Sequence, residues 1–233
     1  TSLSLAFCGI DFAGIADDTT WNFATTDMTT YAGEAGNYNK DTWNDPANWS
    51  AGVPSGGLSA IIDTGEYASV SEGYSGVPCP AYTGDLTLKA NSTLEIAADS
   101  TDTDMNALGG GTITMNTGSE IAFRRSADST HSQDIVVAGD AEIDLCRSTN
   151  AHVRDRTFNG EISGPGRLSI YGESRNNGYF NGNNASWSGG LRAYNGNSMV
   201  FGGAANSLGT GDVTIDAGMS LGITADDAMG DAE

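Results

Sequence analysis

The chain has 233 residues, with 30 Asp and Glu against 10 Lys and Arg, and a formal net charge of −20. So acidic a chain would be repelled by nucleic acid and by anionic membranes, which argues against both as partners. Its 32 glycines and its lack of any apolar run near the ~20 residues that span a bilayer indicate one all-β domain without membrane insertion.

Residues 1–57 are predicted to form an N-terminal segment and irregular cap. The opening stretch has no initiator Met and no basic leader, so we expect the start of a mature, processed, secreted chain. Tryptophans precede the first repeat, where a solenoid needs bulky side chains to plug its open end; these are Trp21, Trp43 and Trp49. A glycan-binding platform is the alternative use for these rings together with Tyr31, Tyr38, Tyr179, Phe180 and Trp187. We favour the cap.

From residue 58 onward one spacing recurs: apolar-x-apolar, five residues, apolar-x-apolar. Period-two alternation is typical of a strand with one buried face. The six copies are Ala60/Ile62 with Ala68/Val70, Leu86/Leu88 with Leu94/Ile96, Ile113/Met115 with Ile121/Phe123, Ile135/Val137 with Ile143/Leu145, Leu191/Ala193 with Met199/Phe201, and Val213/Ile215 with Leu221/Ile223. Residues that adopt positive φ at least cost stand at their centres, so we expect corners at Gly65, Asn91, Gly118, Asp140, Gly196 and Gly218.

The copies are separated by about 22 to 27 residues, apart from one double step that the strand-like Leu168/Ile170 divides. A unit with two short strands cannot bury its apolar side alone, whereas stacked units make a continuous core. A coil that advances by one strand spacing per turn makes neighbouring strands parallel. We therefore predict a right-handed parallel β-helix of about seven coils over residues 58–233.

Three segments of the last third carry a family resemblance: FNGEISGPGRLSIYG, NNASWSGGLRAYNGN and ANSLGTGDVTIDAGMSLGI. They are similar to the autotransporter-associated β-strand repeat, with matches at Ile162, Ser163, Gly164, Gly166, Leu168, Asn184, Trp187, Ser188, Gly189, Gly190, Gly209, Thr210, Gly211 and Val213. DTWNDPANWSAGVPSGG looks like the Trp-rich segment that often precedes such repeats. The resemblance implies an extracellular bacterial β-helix with a surface role, and it names no catalytic residue.

Calcium is the one cofactor for which the sequence offers a candidate site; otherwise we expect none. Oxygen-bearing side chains are closely spaced at Asp99, Asp102, Asp104 and Asn106. The loop lacks the glycine and the distal glutamate of an EF-hand, so the competing interpretation is a solvated acidic loop.

The three cysteines, Cys8, Cys79 and Cys146, allow one internal disulfide. Cys8 with Cys79 would tie the N-terminal segment to the second coil, which suits an oxidising compartment. Three unpaired thiols are the alternative. The sequence has no C-x-x-C spacing, so it gives no indication of a zinc site.

A basic surface cluster is the only candidate for catalysis. Arg125 and Arg147 follow successive copies at the same distance, and the only two histidines, His131 and His152, come soon after. With Asp128 nearby, such a face resembles what a polysaccharide lyase requires. Paired surface charges are the competing interpretation, and we do not expect an enzyme.

The predicted function follows from the two ends of the solenoid. A stack of coils leaves unpaired N–H and C=O groups at each end, which template another chain unless they are covered. We expect the strand-like residues Ser2, Leu3, Ser4, Leu5, Ala6 and Phe7 to add to the C-terminal end of the next copy. This predicts a non-enzymatic, secreted surface protein that forms head-to-tail homopolymers. The alternatives are a carbohydrate-binding or lyase-like module that contacts surface glycans, and the passenger part of a larger anchored adhesin.

Overall fold

The computed structural model describes residues 28–33, 41–71, 75–97, 102–124, 128–145, 154–172, 176–196 and 198–229, with the backbone alone for 102–104. The protein is an all-β solenoid of about five turns with almost no helix. Every pair of neighbouring strands in the described sheets is parallel. The predicted parallel β-helix is thus confirmed, with about five turns instead of the predicted seven coils, and hairpin pairing between the described strands is excluded.

Three sheets form the sides of the coil. Sheet 1 contains β1 (Met28–Tyr31), β2 (Ser59–Ile62), β4 (Leu86–Leu88), β6 (Ile113–Met115), β9 (Ile135–Val137) and β12 (Ile162–Ser163). Sheet 2 contains β3 (Tyr67–Val70), β5 (Thr93–Ile96), β7 (Glu120–Phe123), β10 (Ala141–Asp144), β13 (Leu168–Tyr171), β15 (Leu191–Tyr194) and β17 (Val213–Ile215). Sheet 3 contains β8 (Ser129–His131), β11 (Asp155–Phe158), β14 (Asn177–Phe180), β16 (Met199–Gly202) and β18 (Ser220–Ile223).

The coil begins earlier than the sequence predicts. β1 lies within residues 1–57, yet it pairs in register with β2, from Met28 opposite Ser59 to Tyr31 opposite Ile62. Short 3-10 helices occur at Pro46–Asn48 and Asp102–Leu108. Sheets 1, 2 and 3 hold six, seven and five strands. The counts differ because sheet 1 ends at β12 and sheet 3 starts only at β8.

The corners between sheets 1 and 2 have one repeated geometry. The backbone N–H groups of Gly65, Asn91 and Gly118 each donate to a carbonyl of the next corner, at 3.0, 3.0 and 2.7 Å. All three residues have positive φ, of 75°, 57° and 75°. Asp140 is at the equivalent position without positive φ, and its carboxylate instead accepts from the backbone of Arg167 at 3.0 Å.

The last two copies of the sequence frame lie on a different side of the coil from the first four. Copies starting at 60, 86, 113 and 135 run from sheet 1 to sheet 2, whereas those starting at 191 and 213 run from sheet 2 to sheet 3. Gly196 and Gly218 therefore belong to a second kind of corner. Gly218 has φ of 93°, while in the corner of Gly196 its neighbour Asn195 has the positive φ of 56°.

Two of the side chains predicted to point inward do not. Met199 and Phe201 are partly exposed, while Val200 between them is fully buried. The cause is corner length: Leu168 is opposite Leu191 and Val213, but the sheet 3 partners in the same three coils are Asn177, Met199 and Ser220. Each corner is therefore one residue shorter than the one before it. Since side chains alternate along a strand, a one-residue change reverses which face is buried.

An aromatic stack fills the core beneath sheet 3. The ring of His131 lies 5.4 Å from that of Phe123 and 5.3 Å from that of Phe158, which is itself 5.3 Å from Phe180. The guanidinium of the fully buried Arg156 lies 5.0 Å from the Phe123 ring centroid. His131 is therefore an interior residue.

Candidate assembly site at the edge rung

The two ends of the described solenoid differ. We call residues 212–229, which hold β17, β18 and the turn after them, the edge rung. In the described part of the chain, β17 pairs only with β15, and β18 only with β16. One side of each of these strands is thus open to an additional strand.

Backbone groups on the open side of β17 follow from the bonds on its other side. Asp216 N donates to Ala193 O at 2.8 Å, and Asp212 O accepts from Leu191 N at 2.9 Å. Bonding direction alternates along a strand, so Val213 and Ile215 turn their N–H and C=O groups toward the open side. In β18, the bonds from Ser220 N and Thr224 N to sheet 3 give the same result for Leu221 and Ile223.

Apolar side chains of the edge rung face the core axis, and no further rung covers them in the described part of the chain. Val213 and Ile215 are in register with the fully buried Leu191 and Ala193, and Leu221 is in register with the fully buried Val200. Val213, Ile215 and Leu221 are only partly buried, and Ile223 is 51% exposed. A covering rung would bury the rest of these side chains, which stabilises by about 1 kcal/mol for each half of an aliphatic side chain.

The opposite end is capped. Thr42 and Trp43 both donate backbone N–H groups to Ser69 O at 2.9 Å, which covers the edge of β3. Ser50 N donates to Thr30 O at 3.0 Å, which covers the edge of β1. The predicted cap function of this segment therefore has a backbone basis.

The tryptophans of the described residues are not a glycan platform. Trp43 and Trp187 are fully buried and Trp49 is 5% exposed. Trp49 packs against Trp43 at a centroid distance of 4.7 Å and donates its indole N–H to Trp43 O at 2.7 Å. Tyr31 joins this cluster, and burial raises its pKa to about 12. The cap-or-core interpretation is confirmed for Trp43, Trp49 and Trp187. Trp21 lies outside the described residues.

The candidate metal ligands are only partly described. Asp99 lies outside the described residues, and Asp102 and Asp104 are described by their backbone alone, at the start of the 3-10 helix. Asn106 donates its amide N–H to Cys79 O at 2.8 Å. No group of three or more metal-binding side chains occurs in the described part of the chain. Calcium stays a prediction.

The predicted disulfide and assembly segment also fall partly outside the described residues. Cys8, Cys146 and residues 2–7 are not among them. Cys79 is buried, with its sulfur 3.8 Å from Pro80 O. The disulfide and the assembly segment therefore stay predictions.

One member of the predicted basic surface cluster, His131, does not lie at the surface. Arg125, Arg147 and His152 lie outside the described residues, while His131 is 5% exposed inside the core. Burial, with a smaller contribution from the positive charge of Arg156, lowers the pKa of His131 to about 4. A surface general base is not what this histidine provides.

Carboxylates on the outer face of sheet 2 were not identified as a group from sequence. Glu120 and Glu142 are in register on neighbouring strands and line a shallow cleft of about 270 Å³ with Asp140 and Ser169. Tyr194 donates its hydroxyl to Glu142 at 2.5 Å, and Thr93 donates to Glu120 at 3.3 Å. The polar side chains that line the cleft are carboxylates and hydroxyls, without a thiol, imidazole or amine.

Comparisons with known proteins add no family to this geometry. No family model matches the chain, and neither the curated proteins nor the solved structures give a match. The resemblance to the autotransporter-associated repeat therefore stays a prediction. Within the described residues no helix is both long and apolar enough to cross a membrane.

Proposed function

We propose that this protein is a non-enzymatic, extracellular structural protein, a β-solenoid subunit that joins a second copy end to end through the edge rung. The observation that carries the proposal is the unpaired edge of β17 and β18 above half-exposed apolar side chains. Such an edge accepts strands from another chain.

The capped end supports a contact between unlike surfaces. Since residues 42–50 already occupy the edges of β1 and β3, a second copy meets the edge rung with its N-terminal region, for which the sequence offers Ser2–Phe7. A heterologous contact of this kind propagates into a filament unless its rotation closes a ring. A surface filament or layer is thus the assembly that we propose.

A specific observation favours one second candidate, the passenger part of a larger surface protein. The turn at residues 225–229 repeats the turn at 204–208: Asp227 and Asn206 have φ of 58° and 56°, and Asn206 N donates to Asp227 O at 2.7 Å. A further coil could continue from such a turn. In that candidate the edge rung is covered by the same polypeptide.

Sedimentation velocity and electron microscopy of the purified chain test the proposal. We expect multimers that grow with protein concentration, and filaments or sheets in micrographs. Ile223→Asp should weaken association at least about 10-fold, because it places a charge in an apolar contact. Thr214→Asp, compared with Ile223→Asp at 500 mM NaCl where the added charge is screened, is the matched control, since its exposed side chain lies on the outer face of the same rung.

Two results decide between the candidates. A chain that stays monomeric at high concentration contradicts the assembly proposal and favours the passenger. If it associates and deletion of residues 1–10 leaves the multimers unchanged, the N-terminal segment is not the partner surface, and the head-to-tail arrangement is wrong.

A further inference from the structure

The edge rung carries negative charge without compensation from its own residues. Its titratable side chains are Asp212, Asp216, Asp226 and Asp227, and residues 212–229 contain no Lys, Arg or His. Asp216 pairs with Arg192 of the preceding rung at 2.7 Å. Asp212, Asp226 and Asp227 are exposed. The edge rung thus presents three exposed carboxylates together with its open apolar edge.

The surface that would meet the edge rung has the same sign. Residues 1–27 contain Asp11, Asp17, Asp18 and Asp27 and no Lys or Arg. Residues 28–57 add Glu34, Asp41 and Asp45 against the single Lys40, and each whole chain carries a formal charge of −20. Two copies that approach end to end therefore bring like charges together.

Salt concentration decides whether charge repulsion or apolar burial dominates at this contact. Charge repulsion reaches about 30 Å at 0.01 M salt but only about 8 Å at 0.15 M. The burial of apolar side chains and the pairing of backbone groups do not depend on this screening. Low salt therefore opposes the contact, whereas higher salt leaves the attraction in place.

We propose that ionic strength controls the end-to-end assembly, because the exposed carboxylates of the edge rung repel the acidic N-terminal region of the next copy. The inference rests on the proposed function and adds its regulation. Salt should therefore strengthen this association, whereas it weakens a contact between unlike charges.

The experiment measures the dissociation constant by sedimentation at 10 mM and 500 mM NaCl. We expect association to be at least about 10-fold tighter at the higher salt. The variant Asp212→Asn/Asp226→Asn/Asp227→Asn should associate already at 10 mM and lose most of the salt effect. Asn is compatible with the backbone at 227, because Asn206 has the same positive φ in the preceding turn.

A matched variant separates local from overall charge. Asp85→Asn/Asp134→Asn/Glu161→Gln also removes three negative charges, from exposed sites in the middle of the solenoid, and the new amide oxygens still accept the bonds that these side chains make. It should keep the salt effect. If it shifts association as much as the edge variant does, the edge rung is not the controlling surface.

The possible failures are distinguishable. A chain that is monomeric at both salt concentrations overturns the proposed function and this inference together. A chain that associates equally well at both overturns only the inference. MgCl2 at the same ionic strength as the NaCl solution should change the dissociation constant by the same factor. A much larger effect of MgCl2 would mean that cation binding, and not screening, controls assembly, and would overturn the inference.

Discussion

Asn184 accepts a hydrogen bond from the backbone nitrogen of Ile162 at 2.6 Å, and so supplies in the next coil the acceptor that a strand of sheet 1 would provide. Its amide nitrogen donates to Ser207 O at 2.6 Å in the coil beyond. One fully buried side chain thus links three coils where sheet 1 has ended.

We expect Asn184→Ala to destabilise the protein by about 3 kcal/mol, because it leaves a buried N–H and a buried C=O without partners. Urea unfolding followed by tryptophan fluorescence measures the loss. Asn181→Ala is the control, since Asn181 makes one exposed bond, to Asn159 at 3.0 Å, and should cost under about 1 kcal/mol. Equal losses in the two variants would show that the link between coils does not depend on Asn184.

The second prediction concerns the close approach of two coils at Gly189 and Gly166. A Cβ added at Gly189 would lie 1.9 Å from Gly166 O, a backbone atom that cannot rotate away. Gly189→Ala should therefore cost about 3 kcal/mol by forcing the coils apart.

Gly57→Ala is the matched control for that substitution. A Cβ there meets nothing within 4 Å, and no positive φ opposes it. It should be neutral or slightly stabilising, by up to about 1 kcal/mol. Thermal unfolding followed by circular dichroism compares the two, and similar melting temperatures would rule out the steric argument.

The third prediction tests the left-handed corner at Asn91, whose φ is 57°. Asn91→Ala should cost about 1 kcal/mol, because a side chain without a polar end is disfavoured there. Asn91→Gly should preserve stability. The difference between Ala and Gly at this position is the measurement, and no difference would mean that backbone conformation does not determine the residue.

Sequence alone was sufficient for the side of the coil where corner length is constant. Four residues lie between Ile62 and Tyr67, and likewise between Leu88 and Thr93 and between Met115 and Glu120, so the inward set and the corner residues could be read directly. Sheet 3 could not be read in this way. Over the three coils that begin with Leu168, Leu191 and Val213 its corners shorten by one residue per coil, and Met199 fits an inward pattern although Val200 is the buried residue.

The candidate site was visible from sequence only as a last repeat. That Ile223 faces the core axis follows from its register with Gly202, which depends on the corner before it. One weak indication of the last coil was present in the sequence: a turn of small and polar residues recurs after 21 residues, with the left-handed residues Asn206 and Asp227 at equivalent positions. Nothing in the sequence indicated that His131 is buried, because its strand has no period-two apolar pattern.

The last prediction concerns pH and His131, which lies between the rings of Phe123 and Phe158 and 2.8 Å from the hydroxyl of Ser129. Its pKa in the folded protein is lowered to about 4 from an ordinary 6.5, chiefly by burial and then by Arg156. Between these two values the unfolded chain binds a proton that the folded protein does not. The free energy of unfolding therefore falls as the pH falls from 6.5 to 4, by up to about 3 kcal/mol.

His131→Phe isolates this contribution, because a phenyl ring continues the aromatic stack and does not titrate. Urea unfolding at pH 7 and pH 4.5 gives the loss of stability for each protein, and the carboxylates that also titrate in this range cancel in the difference. We expect the native protein to lose about 2 kcal/mol more than His131→Phe between these pH values. Equal losses would mean that His131 takes up a proton within the folded core, and its burial would then not control stability at acid pH.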